Sequence, residues 1–362
     1  MKKILSLSLA VLMLFSVVSG INLTAFAGDD WETDPIAILQ DGWVKKDGVW
    51  YYGEKGVAKT GWLKDKGKWY YLSPSEGGAM VENDMRKING KIYVFNKYGA
   101  MLENGWKSLE FKNDDNTTEK IWWFIQSGGA ARTGWLLSKG KWYYLDKEYG
   151  FMLSDMVYPM ADKTGGINDN TDWYAFDKNG AMVTGAWFRF DSGHYSDDIV
   201  VGGNSMNWYY ANDNGKLAKG WKQVKGKWYY FDKNCAMFSD DWIEGAKSTE
   251  DNPVWYYVKP DGAMATGWYK FSEENAWHYF GADGAERYGW QKVNNVWYYL
   301  YPKNIGNYDD EDFIGMGTMA TGWLELEDGV YYLKSSGAMV TGKQTIDGVN
   351  YEFTSAGRLI TG

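Results

Sequence analysis

Apolar and polar positions alternate in short bursts along this 362-residue chain, and the bursts return about every 20 residues from Gly42 to the C-terminus. The fullest form is Gly-Trp, a few polar residues, Gly-x-Trp-Tyr-Tyr and an apolar residue, a polar turn, then Gly-Ala-Met-x-Thr-Gly. Gly61-Trp62 through Trp69-Tyr70-Tyr71-Leu72 to Gly78-Ala79-Met80 is one copy; Gly220-Trp221 through Trp228-Tyr229-Tyr230-Phe231 to Ala236-Met237 is another. Runs of strong β-formers bounded by Gly, Asn, Asp and Lys predict two short strands around a turn in each copy. Helical periodicity of any length is absent. One small unit repeated over nearly the whole chain predicts an all-β solenoid of stacked short β-hairpins, which grows by adding units rather than by enlarging a core.

About thirteen units follow residue 42. Their first-strand Trp positions hold Trp43, Trp62, Met85, Trp106, Trp135, Met156, Trp187, Trp221, Trp242, Trp268, Trp290, Trp323 and Lys343. Polar insertions are expected between strands at 108–120, 189–206 and 245–253, before the second strand at 159–171, and in an excursion at 301–317. Residues 28–41 carry no repeat signature and read as a frayed end or a cap.

The four residues of the second-strand run, positions one to four, vary in a coupled way. Position two is almost always aromatic and position four nearly always apolar, as in Leu72, Phe95, Phe176 and Phe353. Where position one loses its Trp, at Ile92 and Asn350, position three also loses its Tyr, becoming Val94 and Glu352; Ala175 beside Trp173 and Tyr332 beside Val330 are exceptions. Side chains two apart share a strand face. Positions two and four are therefore expected to form the packing face, and positions one and three a face with a removable job.

Aromatics make up 18% of the chain, with 22 Trp and 28 Tyr, more than a β-rich core requires. In regular units the first-strand Trp lies seven residues before the position-one Trp, as in Trp43 and Trp50 or Trp221 and Trp228. A hairpin of that length brings both indoles to one side. A position-three Tyr from the following unit would close a three-walled box suited to a quaternary ammonium, whose soft charge is drawn to ring faces. No Asp, Asn or Arg recurs there to serve a hydrogen-bonding ligand.

These units resemble the choline-binding, or cell-wall-binding, repeats of secreted Gram-positive proteins, and are similar to repeats in the glucan-binding domains of glucosyltransferases and in clostridial toxins. The likeness runs over residues 42–362. It implies a left-handed solenoid with choline held between consecutive hairpins by two Trp, one Tyr and often a Met. Carried over, the expected cages are Trp43, Trp50 and Tyr71; Trp106, Trp122 and Tyr144; Trp187, Trp208 and Tyr230; Trp221, Trp228 and Tyr257. The remaining three are Trp242, Trp255 and Tyr279; Trp268, Trp277 and Tyr299; Trp290, Trp297 and Tyr332. The pairs Trp62 with Trp69 and Trp135 with Trp142 would meet Val94 and Ala175, so those joints are expected to be structural. So are the joints after Met85 with Ile92 and after Trp323 with Val330, and the last unit is expected to cap the array. Met80, Met237, Met264 and Met339 are either a fourth wall or gap-filling core.

The N-terminus reads as a secretory signal over residues 1–27: Lys2 and Lys3, an apolar run from Ile4 to Val18, and Ala25-Phe26-Ala27 before Gly28. Its removal takes the net charge from −9 to −11, which argues against nucleic acid or an anionic membrane as partner. The expected location is the cell surface, with a choline-bearing teichoic polymer as ligand; the alternative is a glucan-binding or host-contacting adhesin on the same scaffold, and dimerisation stays open. Cys235 is the only cysteine and stands where most units have Gly. His194 and His278 fall in a loop and at a packing position. The run Asp309-Asp310-Glu311-Asp312 lacks Ca²⁺-loop spacing, and no phosphate loop, nucleophile elbow or paired metal spacing occurs. The expectation is a non-enzymatic protein with no cofactor and no metal.

Overall fold

A computed structural model describes residues 37–38, 40–112, 117–160, 171–191, 206–249, 253–273, 275–304 and 314–361. The expected signal, His194 and the acidic run 309–312 lie outside the described residues. Two compact units, Met1–Ala218 and Lys219–Gly362, divide the chain. The described residues form thirteen separate antiparallel sheets, each built on one hairpin, and no α-helix. No helix among them is long and apolar enough to cross a membrane.

In the first unit, hairpin 1 pairs Gly42–Lys46 with Val49–Glu54, hairpin 2 Gly61–Asp65 with Lys68–Ser73, and hairpin 3 Asp84–Ile88 with Lys91–Phe95. Hairpin 4 pairs Gly105–Lys112 with Thr118–Ile125, hairpin 5 Gly134–Ser138 with Lys141–Leu145, hairpin 6 Met156–Met160 with Asp172–Phe176, and hairpin 7 Ala186–Asp191 with Met206–Ala211. In the second, hairpin 8 pairs Gly220–Val224 with Lys227–Phe231, hairpin 9 Asp241–Glu244 with Trp255–Val258, and hairpin 10 Gly267–Phe271 with Ala276–Phe280. Hairpin 11 pairs Gly289–Val293 with Val296–Leu300, hairpin 12 Gly322–Leu326 with Gly329–Leu333, and hairpin 13 Gly342–Ile346 with Val349–Phe353.

The regular hairpins close through two-residue turns with both residues at positive φ, such as Asp47 and Gly48 (53° and 88°) or Lys139 and Gly140 (48° and 76°). That backbone twist matches the twist of the flanking strands. Hairpin 4 departs from expectation, because 108–112 and 118–120 continue its strands rather than forming a loop. Leu109, Phe111 and Ile121 are buried while Glu110, Lys112 and Lys120 are exposed, a period of two that defines a strand.

Successive hairpins are tied through the Gly-Ala-Met segment. Its Met pairs with position four of its own hairpin, as in Phe95 with Met101 and Leu145 with Met152. The same Met N–H donates back to the position-one carbonyl of the preceding hairpin: Met101 to Trp69 (2.8 Å), Met182 to Trp142 (2.8 Å), Met339 to Trp297 (2.9 Å). Its side chain then reaches forward onto the glycine of the next such segment. A Cβ built on Gly99 would fall 2.3 Å from Met80 Sδ, and the same fit joins Met152 to Gly180, Met264 to Gly284 and Met339 to Gly357. Met80, Met237, Met264 and Met339 are thus interlocking core groups between hairpins.

Position four forms the core in each unit: Leu72, Leu145, Phe176, Phe280, Leu300 and Leu333 are fully buried. Ile38 docks on hairpin 1 beside Tyr51 and Ala58, and its N–H donates to Gly56 O at 3.0 Å, so this segment covers the first hairpin. Leu359–Thr361 adds a third strand to hairpin 13. Cys235 holds the glycine-like backbone at φ 67° with its side chain fully buried.

One lock is polar. In hairpin 10 position two is His278, and Glu286 stands at the Met position, against Gly317. Both side chains are buried, His278 Nδ1 lies 2.5 Å from Glu286 Oε1, and Tyr288 O–H donates to Glu286 Oε2 at 2.7 Å. Glu286→Met alone removes this partner from His278 and is expected to cost about 1–3 kcal/mol. His278→Tyr with Glu286→Met restores the residues of the other units and is expected to melt at or above wild type, since apolar replacements of buried polar pairs are often neutral or stabilising. Thermal melting of the three proteins checks this; a double variant less stable than the single one would refute it.

Candidate ligand site: aromatic cages between hairpins

Register places Trp43 opposite Tyr52 and Lys45 opposite Trp50, so these four side chains share one face of hairpin 1 while Val44 and Tyr51 take the other. The two indoles therefore lie on the same side, as the spacing predicts. Trp62 and Trp69 meet at 6.1 Å and 88°, Trp135 and Trp142 at 6.2 Å and 89°, Trp290 and Trp297 at 6.4 Å and 89°. The position-one indoles Trp50, Trp69, Trp122, Trp142, Trp208, Trp228, Trp277 and Trp297 are each 36–44% exposed. Each such pair sets two rings at right angles with one of them open to solvent.

The third wall differs from expectation. The ring brought to Trp43 by the next hairpin is Tyr70, at 4.9 Å, not Tyr71. In the same way Tyr93 meets Trp62 (4.8 Å), Tyr143 meets Trp106 (5.0 Å), Tyr174 meets Trp135 (4.9 Å) and Tyr256 meets Trp221 (5.2 Å). Tyr298 meets Trp268 (4.8 Å) and Tyr331 meets Trp290 (4.9 Å). All are position-two residues. The expected position-three tyrosines instead rest on the first-strand Trp of their own hairpin: Tyr71 on Trp62, Tyr144 on Trp135, Tyr230 on Trp221 and Tyr257 on Trp242. Tyr279 rests on Trp268, Tyr299 on Trp290 and Tyr332 on Trp323. The cause is strand parity. Position three is the direct cross-strand partner of its own Trp, whereas position two points the other way, back toward the preceding hairpin.

Two pairs expected to be structural therefore have three rings: Trp62 and Trp69 with Tyr93, and Trp135 and Trp142 with Tyr174. Trp323 has Tyr351 at 4.8 Å but faces Val330 where the second Trp would stand. Trp187 and Trp208 meet at 6.4 Å and 88° within the first unit.

Other joints are closed. In hairpin 3, Met85 and Ile92 are buried in one cluster with Trp123, which is 1% exposed and donates from Nε1 to Tyr149 O at 3.1 Å. In hairpin 6, Trp173 is 2% exposed. Trp242 of hairpin 9, expected to form a cage with Trp255 and Tyr279, stacks instead on Phe271 at 5.3 Å and 21°. Phe271 ends the first strand of hairpin 10, at the place held by Asp65 and Ser138 in hairpins 2 and 5. Those two accept hydrogen bonds from Trp43 Nε1 (3.1 Å) and Trp106 Nε1 (3.2 Å). A small polar residue there orients the indole and leaves room; Phe271 fills the space.

The phenols near these rings resist ionisation. Burial pushes Tyr144 up to about 12, and burial raises Tyr174, Tyr299 and Tyr331 as well. Tyr174 and Tyr331, which stand as third rings, therefore stay neutral, so affinity at their joints is expected to change little from about pH 5 to about pH 9. Calorimetric titration across that range checks it, and a break in affinity near neutrality would refute it. Neutral rings at these spacings attract a soft cation through their faces.

Segments of the chain match two family models. A choline-binding repeat model matches residues 243–288. A putative cell wall binding repeat model matches 60–77, 133–148, 207–217, 219–234, 289–303 and 321–339. Glucosyltransferase-S of Streptococcus mutans is 28% identical over 244 residues, 61% of this chain; the aligned part is only 16% of that protein's length. Among solved structures, CbpJ of Streptococcus pneumoniae is 27% identical, with 88% of this chain and 99% of that chain covered at a TM-score of 0.41. Choline binding protein F of Streptococcus pneumoniae is 26% identical, with 89% and 100% covered at a TM-score of 0.39. At these segments the chain carries repeats of the choline-binding, or cell-wall-binding, family.

Proposed function

We propose that this is a secreted, non-catalytic surface protein that holds choline groups of a cell-wall teichoic polymer in the cages between its hairpins. Each cage is two perpendicular indoles from one hairpin and the position-two tyrosine of the next. The observation that supports the reading most is the half-open position-one tryptophan, repeated at 36–44% exposure beside a packed first-strand tryptophan. A dry aromatic cage contributes roughly 2 kcal/mol or more to binding a quaternary ammonium. That is weak singly, but several sites on one chain engaging one polymer raise the avidity by orders of magnitude.

A saccharide ligand stacked on the exposed ring faces is the second reading, favoured by the likeness to Glucosyltransferase-S. Chromatography separates the two. On a resin carrying a choline-like tertiary amine the protein is expected to be retained and released by free choline. Retention on dextran alone, with no choline-dependent release, would overturn the first reading in favour of the second.

A further inference from the structure

The cross-strand partner of the position-one tryptophan varies from hairpin to hairpin, and in several it is a cation lying over the indole. Lys45 stands opposite Trp50 with Nζ 5.8 Å from the ring centroid, Lys64 opposite Trp69 at 5.4 Å, and Lys292 opposite Trp297 at 5.8 Å. Arg189 stands opposite Trp208 at 5.6 Å. By strand parity each cation shares the face that carries both indoles. All four are exposed, so they edge the hollow rather than fill it. Elsewhere the same place varies: Lys270 stands opposite Trp277 and Glu244 opposite Trp255, while Leu137 opposite Trp142 and Gln223 opposite Trp228 are neutral.

A positive group beside a cage opposes a bare quaternary ammonium. Choline can be attached to a polymer only through its hydroxyl, two carbons from the nitrogen, so a phosphate ester puts an anion close to the trimethylammonium group. With the ammonium seated among the rings, that anion emerges at the edge where these cations stand. A zwitterionic ligand satisfies both; free choline satisfies one and is repelled by the other. We infer that Lys45, Lys64, Arg189 and Lys292 are specificity residues that select phosphocholine over choline, while the cages edged by Leu137 and Gln223 do not discriminate. The inference rests on the choline reading and names the ester it recognises.

The test uses the full chain with Lys45→Glu, Lys64→Glu and Lys292→Glu combined, titrated calorimetrically with phosphocholine and with choline chloride. Wild type is expected to prefer phosphocholine at a subset of sites by roughly threefold in dilute salt, the size of a solvent-screened charge pair. The preference shrinks toward unity in concentrated salt, and the triple variant loses or inverts it at the three lysine-edged cages, leaving only the site edged by Arg189. Because the three lysines are exposed, its melting curve should match wild type. The salt dependence of wild type alone tests the inference should the variant misfold. An unchanged ligand ratio, with both ligands still bound, would overturn the inference and leave the choline reading intact. Binding of neither ligand by wild type would overturn the choline reading itself. Phosphatidylcholine vesicles carry the same ester on a membrane: no pelleting with them supports a polymer as the source, and pelleting that the triple variant abolishes supports the charge selection with a lipid source instead.

Discussion

Trp290→Ala is expected to destabilise the second unit by about 3–5 kcal/mol and to remove one bound ligand equivalent. Its indole touches Trp297, Tyr299 and Tyr331 and packs against the buried cluster that includes Leu324 and Leu333. It is both a wall of the cage and a member of the core. Trp297→Ala removes a ring that is 40% exposed. It is expected to lose the same ligand equivalent at a stability cost of only about 1 kcal/mol, the worth of the edge contact with Trp290. Thermal melting with calorimetric stoichiometry separates the outcomes. Equal losses of stability would mean that the outer indole is structural, and the cage reading would fail at this joint.

Gly180→Ala should be a strongly damaging replacement by a single methyl. The backbone there sits at φ 78°, and a Cβ would fall 2.3 Å from Met152 Sδ and 2.5 Å from its Cε. Met152 is itself buried in a cluster with Leu136 and Leu145. Left-handed strain costs about 1 kcal/mol, and forcing the thioether out of its seat adds about 1–3 kcal/mol. Met152→Ala removes the seated group and costs about 2–5 kcal/mol by itself. If thioether and glycine are one lock, the double variant is less destabilised than the sum of the singles by about 1 kcal/mol or more. Strict additivity in denaturant melts would show that they act independently.

The hairpins and the shared side of the two indoles were legible because both follow from parity and turn chemistry. The seven-residue spacing from Trp43 to Trp50, across the turn at Asp47 and Gly48, fixes the register without tertiary information. The third wall is not the position-three Tyr that the sequence pattern suggests, because that Tyr lies on the face that carries the indoles of its own hairpin. The structure takes it from the opposite face of the next hairpin, since one hairpin's back lies against its predecessor's front. A signal was present. Position two is aromatic in nearly every unit, including Tyr93 and Tyr174, where position three is Val94 or Ala175; a purely packing position would tolerate aliphatic residues. Phe271 could not be foreseen as filling the space at Trp242, because only packing puts the end of one strand against the indole of the hairpin before it. The extended hairpin 4 is visible in the alternation Leu109, Glu110, Phe111, Lys112, whose polar half resembles loop composition.

Tyr70 belongs to one hairpin and completes the hollow of another. On the proposed reading, capacity counts junctions rather than copies. A duplicated unit would add a receptor only if it carries both indoles, as hairpins 2, 5 and 11 do, and its neighbour brings the ring. A lone hairpin, however intact its own sequence, would lack the third wall.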